Sequence, residues 1–287
     1  MKASELVLAP DGSLYHIRLM SSTLANKVLL VGDPGRVDMF KNIFDTIEFE
    51  SSNREIHALT GRYHGTRLTA LSTGMGCDNI DIVMTELDAA LRVENDEWHE
   101  NCDRRLQLVR IGTSGSLQAD IDCGSHVASS HAIGLDGLMN YYKEWDTPLP
   151  EMEHAFNEHM RFSTRLAAPY CVAGSQQLLA TVGEGMHHGI TATAPGFYGP
   201  QGRTVRLHPS IDMLNDKLAT FSWQGLKINN FEMETSAIYG FSHMLGHQAM
   251  TACLIIANRP LGTFLNDYHD KMRQLVGSVV ERLASID

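Results

Sequence analysis

"VLLVGDPGRV", residues 28–37, joins a short apolar run to an Asp-Pro-Gly turn and then to the start of a helical pattern. An apolar run that ends at a glycine is typical of a buried strand, and the turn after it is typical of the passage into a helix. The stretch therefore predicts a strand–turn–helix unit, which is the building block of α/β folds.

The same unit recurs along the chain. Further strands are predicted by "TRLTALSTG" (66–74), "LQLVRIGTSG" (106–115), "HVASSHAIG" (126–134), "HGITATAPG" (188–196) and "AMTACLIIA" (249–257). Helical patterns cover 35–44, 78–93, 175–185, 235–246 and 267–286. Because no linker divides the chain, we expect a single α/β domain over residues 1–287, a three-layer sandwich around a mixed central sheet. The polar and aromatic stretch 135–160 is interpreted as an excursion over the surface or over a site.

The composition narrows the function classes. The net charge of −11 excludes general nucleic-acid binding, which needs a basic surface, so any anionic ligand must be held by a few arginines. The five cysteines are odd in number and scattered, which favours reduced thiols, and the histidines lack zinc-site spacing. No segment approaches the roughly 18 apolar residues of a membrane span. We expect a cytoplasmic protein with neither nucleic-acid nor membrane partners.

Two predicted strands end in turns that could bind an anion. Gly32 and Arg36 lie where backbone N–H groups are free and a guanidinium is close. Arg110 lies inside an apolar strand, where a cation needs an anionic partner, and Thr113 adds a hydroxyl. Arg54 could join them. The alternatives are a solvated arginine after an ordinary turn for Arg36, a structural ion pair for Arg110 and a surface position for Arg54.

A third strand end, "GFYGPQGR" (196–203), could bind a planar heterocycle. Phe197 offers a stacking surface, Gln201 an amide with a donor and an acceptor, and Arg203 a planar guanidinium. The alternative is an ordinary Gly/Pro/Gln turn.

The segment "NNFEMETSAIYG" (229–240) places Glu232 and Glu234 on either side of Met233. In an extended chain these two carboxylates share a face and could grip the vicinal hydroxyls of a sugar. The alternative is an acidic first turn of a helix, where the helix dipole favours negative charge. A glycosidase pair fits less well, since its carboxyls flank the scissile bond. Sites for an anion, a diol and a base together predict phosphorolysis of a nucleoside.

Four of these motifs carry a family resemblance. "GDPGRV", "RIGTSGSLQ", "FYGPQGR" and "FEMETSA" occur in the order typical of nucleoside phosphorylase family I, and the chain most closely resembles the uridine phosphorylases of that family. The resemblance implies a phosphorylase/hydrolase-like fold and a pentosyltransferase that converts uridine and phosphate reversibly into uracil and ribose 1-phosphate in nucleoside salvage and catabolism. Alternatives are a relative with purine or broad specificity and a catalytically silent nucleoside-binding protein.

The resemblance also implies roles for individual residues. Phosphate would be bound by Gly32, Arg36, Arg110 and Thr113, with Arg54 from a neighbouring subunit. Ribose would be bound by Met233 and Glu234, with Glu232 beside them and His16 from a neighbouring subunit. The base would be bound by Phe197, Gln201, Arg203, Ile256 and Ala257. The catalytic residues would be Arg110, Gln201, Arg203 and Glu234.

The remaining implications concern assembly and ions. A homo-oligomer is expected, with a dimer as its minimal unit and a hexamer as the full assembly. No cofactor is expected, since phosphate is a co-substrate. Glu55 matches the carboxylate of a monovalent-cation (K⁺) site of some relatives, while Asn79 departs from the small residue usual beside it.

Overall fold

The computed structural model describes residues 2, 4–94, 97–100 and 102–286. The strands in this part of the chain are β1 (Lys27–Val31), β2 (Thr46–Asn53), β3 (Ile56–Tyr63), β4 (Thr66–Ser72), β5 (Val93–Glu94), β6 (Glu97–Trp98), β7 (Gln107–Ser116), β8 (His126–Gly134), β9 (Tyr170–Ala173), β10 (His187–Thr193), β11 (Ser222–Trp223), β12 (Leu226–Glu232), β13 (Gln248–Asn258) and β14 (Thr263–Phe264). The α-helices are α1 (Pro34–Val37), α2 (Cys77–Arg92), α3 (Pro150–Met160), α4 (Gln176–Thr181), α5 (Leu214–Thr220), α6 (Thr235–Leu245) and α7 (His269–Ala284). Short 3₁₀ helices cover Asp38–Asn42, Leu138–Tyr141 and Gly199–Gln201.

The first strand shows why the fold has three layers. Val28 and Leu30 of β1 pack in a cluster with α2 and α6, whereas Leu29 and Val31 pack in a cluster with α4 and α7. Successive strand residues point to opposite faces, so a continuous apolar run is what a strand covered by helices on both faces requires. The predicted three-layer α/β sandwich is confirmed.

The central sheet is mixed, as expected, and part of it closes on itself. Its order is β11-β12-β10-β8-β13-β7-β1-β4-β3-β2, and β12 pairs with β7 as well as with β10. The strands β7, β13, β8, β10 and β12 therefore form a closed ring, with parallel pairs β7–β13, β8–β10 and β10–β12 and antiparallel pairs β8–β13 and β7–β12. This ring carries three of the turns that the sequence singled out.

Several segments differ from expectation, among them β9, β12 and α5, which were not predicted. The hairpin β2–β3 was not predicted, and it carries Arg54 in its turn at a φ of 54°. The interpretation of 135–160 as a surface excursion is wrong for its second half, because α3 buries Met152, Phe156 and Met160 in an apolar cluster. Their spacing of four residues forms one helical stripe, which the surrounding polar residues obscured.

Two further observations concern the cysteines and the helices. All five cysteines are free thiols. Among the described residues, no helix has the length and apolar character needed to cross a bilayer.

Candidate active site

The strand ends named above surround one cavity of about 610 Å³. The predicted residues that line it are Gly32, Arg36, Glu55, Arg110, Thr113, Phe197, Gln201, Arg203, Glu232, Met233, Glu234, Ile256 and Ala257. Residues not predicted as ligands also line it, including Gly74, Phe231 and Phe264. The anion turns, the base loop and the acidic pair therefore come together at one place in the fold.

Arg110 of β7 lies at the floor of the cavity and is buried. The guanidinium folds back over Gly112, since a Cβ there would lie 2.1 Å from Nη1. Nη2 bonds to Glu234, and Nη1 lies 3.3 Å from Oε2 of Glu232. Burial alone would lower the pKa of Arg110, but the charges of Glu234 and Glu232 outweigh burial and raise it. Nε is buried with no hydrogen-bond partner in the described part of the chain, so one donor of Arg110 is left unpaired.

Glu232 ends β12 and uses its carboxylate to hold the start of α6. It accepts hydrogen bonds from the backbone N–H of Glu234 (3.0 Å) and of Thr235 (3.1 and 3.0 Å), and from the hydroxyl of Thr193 (2.6 Å). With the contact to Arg110 included, the lone pairs of this carboxylate are occupied by protein donors. The alternative of an acidic first helical turn is wrong, because Glu232 ends β12, Glu234 precedes α6 and the first turn of α6 contains no acidic residue. The geometry favours a supporting role for Glu232, which holds the helix start from outside the helix.

Glu234 keeps more of its hydrogen-bonding capacity. Its Oε1 accepts from the backbone N–H of Gly76 (2.7 Å) and its Oε2 accepts from Arg110. Each oxygen therefore has a lone pair left for a hydroxyl donor. Burial raises the pKa of this carboxyl, against the opposing effect of Arg110 and with a further contribution from Glu232. Met233, between the two acids, is half-buried and lines the same cavity.

Arg36 approaches the cavity from α1. Its Nη1 donates to the carbonyl oxygen of Ile111 at 3.2 Å. Burial lowers the pKa of Arg36, and the charge of Arg110 lowers it further. Two partly or fully buried guanidinium groups that repel each other form a site where an anion would lower the electrostatic energy.

The base loop is organised around the amide of Gln201. Its Oε1 accepts from Arg203 (2.7 Å) and from Arg259 (2.6 Å), and Arg259 also donates to the Gln201 carbonyl (2.8 Å). Arginine only donates, so the two cations require the amide oxygen and leave the Nε2 hydrogens free. Burial lowers the pKa of Arg259 to about 10, with a smaller contribution from Arg203. The Arg203 guanidinium stacks on Phe197 at 3.7 Å from the ring centroid, so this ring orients Arg203.

Two predicted residues lie outside the cavity. His16 and Arg54 are absent from its lining, yet they belong to one neighbourhood, because the Asn53 amide donates to the carbonyls of Tyr15 (2.9 Å) and His16 (3.2 Å). His16 Nδ1 lies 2.5 Å from Oε1 of the buried Glu86. Their expected contribution to a neighbouring subunit stays a prediction.

The cation site also stays a prediction. Glu55 is exposed on the cavity rim, and the Asn79 amide donates to the Met75 carbonyl at 3.0 Å. The group of potential metal ligands in the described chain, Asp38, Glu50 and His57, lies elsewhere, and the Lys41 ammonium already contacts its two carboxylates.

Sequence reasoning missed Arg259 and the backbone N–H of Gly76 as parts of the site. Arg259 follows the last core strand in "IIANRP", and its position after a strand end was the available signal. Its contact with Gln201, 58 positions away, is visible only in the folded chain.

The chain is similar to several characterised proteins. Residues 26–285 match the family described as the phosphorylase superfamily. A uridine phosphorylase from Thermococcus kodakarensis is 26% identical, over 96% of this chain and 89% of its own length. A guanosine phosphorylase from Halorubrum lacusprofundi is 25% identical, over 94% of this chain and 95% of its own. The crystal structure of a Trypanosoma brucei nucleoside phosphorylase, described as showing uridine phosphorylase activity, has a TM-score of 0.87 and 30% identity, with 98% of this chain and 100% of that chain covered.

Proposed function

The chain belongs to the phosphorylase superfamily, and within it to nucleoside phosphorylase family I, and from this premise we propose that it is a uridine phosphorylase. Members of this family are pentosyltransferases that act on a nucleoside and phosphate. The proposed reaction converts uridine and phosphate reversibly into uracil and ribose 1-phosphate. It uses no cofactor.

The observation that carries uridine specificity is the fixed orientation of the Gln201 amide. With Oε1 bonded to Arg203 and Arg259, the side of Gln201 left for a ligand is a donor. Uracil presents two keto oxygens, which accept hydrogen bonds from this amide and from arginine N–H groups. Cytosine would present an amino group to the same donors, and unpaired donors inside a site are strongly disfavoured.

Phosphate as the second substrate is supported by two further arginines that line the cavity, Arg36 and Arg110. Arg36 and Arg110 repel each other, and Arg110 Nε has no protein partner in the described part of the chain. A dianion near both guanidinium groups, also bonded by Thr113 and by the backbone at Gly32, would offset the repulsion between them.

The chemistry follows from this placement. A phosphate oxygen forms a bond to C1′ while the C1′–N1 bond breaks and its electron pair passes to the base. Ribose becomes oxocarbenium-like in this transition state, and uracil gains negative charge, which Arg203 and Gln201 stabilise with Arg259 behind them. Glu234 holds the ribose hydroxyls so that C1′ stays in line with phosphate. The uracil anion then takes up a proton.

We further propose a homodimer as the minimal active unit, with His16 contacting the ribose 5′-hydroxyl and Arg54 the phosphate in the neighbouring subunit's site. This proposal is supported by the absence of both residues from the cavity of their own chain and by the Asn53 link that presents them together.

Broader base specificity is the second candidate. It is supported by the similarity to a guanosine phosphorylase over nearly the whole chain. Guanine and hypoxanthine carry a keto oxygen that the same arginines could bond, although they lack the second keto group beside N3.

Uracil release from uridine, measured with and without phosphate or arsenate, tests the proposal. We expect cleavage only with either anion, and kcat/KM for uridine above that for cytidine, inosine and guanosine. Equal turnover in phosphate-free buffer would eliminate phosphorolysis, and a preference for inosine or guanosine would replace uridine specificity with the purine alternative. Nucleoside binding without any turnover would support the alternative of a catalytically silent nucleoside-binding protein. Thymidine and 2′-deoxyuridine complete the panel.

A further inference from the structure

A second cavity adjoins the candidate active site and shares Arg203 with it. This flank cavity has a volume of about 730 Å³ and lies between the base loop, the segment 162–167 after α3 and the segment 205–214. Its volume falls within the roughly 300–1,000 Å³ of small-molecule pockets. No residue of the proposed phosphate or ribose site lines it.

The walls of the flank cavity are apolar. Phe162, Leu166 and Ile211 line it, together with Val205 and Leu207, whose side chains are 78% and 83% exposed. Exposed apolar patches mark ligand-binding grooves and interaction sites. The concave shape favours a small molecule over a flat protein partner.

The charged side chains that line the flank cavity are arginines, and its other polar side chains are Tyr198, His208 and Ser210. Arg203, Arg206 and His208 line it, and no Asp or Glu is among the lining residues that the structure describes. Arg206 and His208 make no hydrogen bond or ion pair within the described chain. In a protein with a net charge of −11, an acid-free apolar cavity that contains the unpaired guanidinium of Arg206 is complementary to an anion that carries an apolar body.

We propose that the flank cavity binds an amphiphilic monoanion, a molecule with an aliphatic or aromatic body and one carboxylate or sulfonate. The body packs against Phe162, Leu166 and Ile211, and the acid group pairs with Arg206 and Arg203. The binding depends only on the cavity and its charges.

A consequence for catalysis rests on the proposed function. An acid group that pairs with Arg203 competes with the bond from Arg203 to Gln201, which orients the base-binding amide. The amphiphile and uridine then weaken each other's binding by the same factor, because coupling between two sites is reciprocal. The KM for uridine rises, and the KM for phosphate does not, since Arg36 and Arg110 lie outside the flank cavity.

Titration of the full-length protein with 8-anilinonaphthalene-1-sulfonate, a fluorescent aromatic sulfonate, tests the binding. We expect one saturable site whose Kd rises at least about tenfold in Arg206→Glu, which reverses the rim charge, and in Ala167→Trp, which fills the cavity. Lys227→Glu, an exposed charge reversal on β12, is the matched control and should leave the Kd within about twofold. Laurate, below the concentration at which it forms micelles, should displace the dye from the wild-type protein.

Three outcomes would overturn the proposal. The first is the absence of saturable dye binding, and the second is a Kd that both cavity variants leave unchanged. The third is a cavity closed by a second copy of the chain, which would be seen as exclusion of the dye together with a change of oligomeric state in Ala167→Trp. If Ala167→Trp does not fold, the Kd of Arg206→Glu and the displacement of the dye by laurate still test the proposal. Because the dye titration needs no turnover, its result is independent of the proposed uridine reaction, and laurate inhibition against uridine is measured separately.

Discussion

Glu232 and Glu234 differ in how many hydrogen bonds each carboxylate can still accept. The Glu232 oxygens are occupied by Thr193, by two backbone N–H groups at the start of α6 and by Arg110. The Glu234 oxygens have one protein donor each. Their spacing alone makes the two acids look equivalent, but their hydrogen-bond partners favour one as a structural cap and the other as a ligand for a diol.

This difference predicts that two isosteric substitutions affect different properties, activity in one case and stability in the other. Glu234→Gln should lower kcat/KM for uridine at least about a hundredfold, because an interaction that orients the transition state is lost. Glu232→Gln should lower the free energy of unfolding by about 1–3 kcal/mol, because charged hydrogen bonds to the helix start are weakened. Steady-state kinetics and urea unfolding of both variants separate the two roles. Near-normal kinetics in Glu234→Gln would show that the diol ligand is misplaced.

Arg259 offers a second test at the scale of one residue. Arg259→Met keeps the aliphatic stem but removes the charge and a donor to the Gln201 oxygen. We expect kcat/KM for uridine to fall about ten- to a hundredfold, since the amide is free to flip and less positive charge faces the base. Kinetics with uridine measure the effect, with the exposed Arg273→Met of α7 as the control. An unchanged rate would remove Arg259 from the base site.

The residues that the sequence could identify are those with chemistry at a strand end. Arg36, Gln201 and Glu234 follow apolar runs and Arg110 lies inside one, and the carboxyl ends of such strands form the ligand edge of α/β sheets. The importance of Arg259 arises from a tertiary contact with Gln201, which local spacing does not encode.

At the scale of elements, β7 positions Arg110 because Gly112, two residues later, has no side chain. Arg110 and Gly112 point to the same face of the strand, and the guanidinium occupies the space that a Cβ at Gly112 would take. The anion site therefore depends on a glycine that contacts no ligand through a side chain.

Gly112→Ala should displace the Arg110 guanidinium from Glu232 and Glu234, and uridine phosphorolysis should fall at least about a hundredfold. Loss should appear in kcat/KM for both substrates, since the displaced group faces both proposed sites. Gly277→Ala in α7 is the matched control, because a Cβ there meets no atom within 4 Å. It should retain activity and gain up to about 1 kcal/mol of stability from helix propensity. Full activity in Gly112→Ala would contradict the packing argument.

The hairpin strand β2 and the helix α3 were not predicted from the sequence for related physical reasons. The β2 segment "TIEFESSN" is an edge strand that is largely exposed, so it lacks the apolar run by which the other strands were identified. The α3 stripe of Met152, Phe156 and Met160 is separated by polar residues that face solvent. Both segments owe their structure to partners that are distant in sequence.

At the scale of the whole molecule, stability should depend on pH through buried histidine. Burial lowers the pKa of His247 to about 4, and the pKa values of His126 and His131 are also lowered, again first by burial. The unfolded chain binds protons at a histidine pKa of about 6.5, so it holds more protons than the folded chain between these values. Stability is therefore present above about pH 6.5 and is lost as the pH falls toward about 4.

Urea unfolding between pH 7 and pH 4 checks this dependence. The interval spans the His247 pKa of about 4 in the folded chain and the histidine pKa of about 6.5 in the unfolded chain. We expect the free energy of unfolding to fall across this interval and the fall to be shallower in His247→Gln, which does not titrate. An equally steep fall in the variant would assign the dependence to other groups.

The closed strand ring determines how late in synthesis the active site can form. β13 lies between β8 and β7 although it is the last long strand of the chain, and Ser116 of β7 pairs with Asn230 of β12. A chain synthesised from its N-terminus exposes the anion turns first, but the ring cannot close before β13 has emerged. Contacts between distant segments form slowly, so catalytic competence should be one of the last properties that the nascent protein acquires. A ribosome-bound chain that ends before Gln248 should contain every proposed phosphate and ribose ligand and still have no activity.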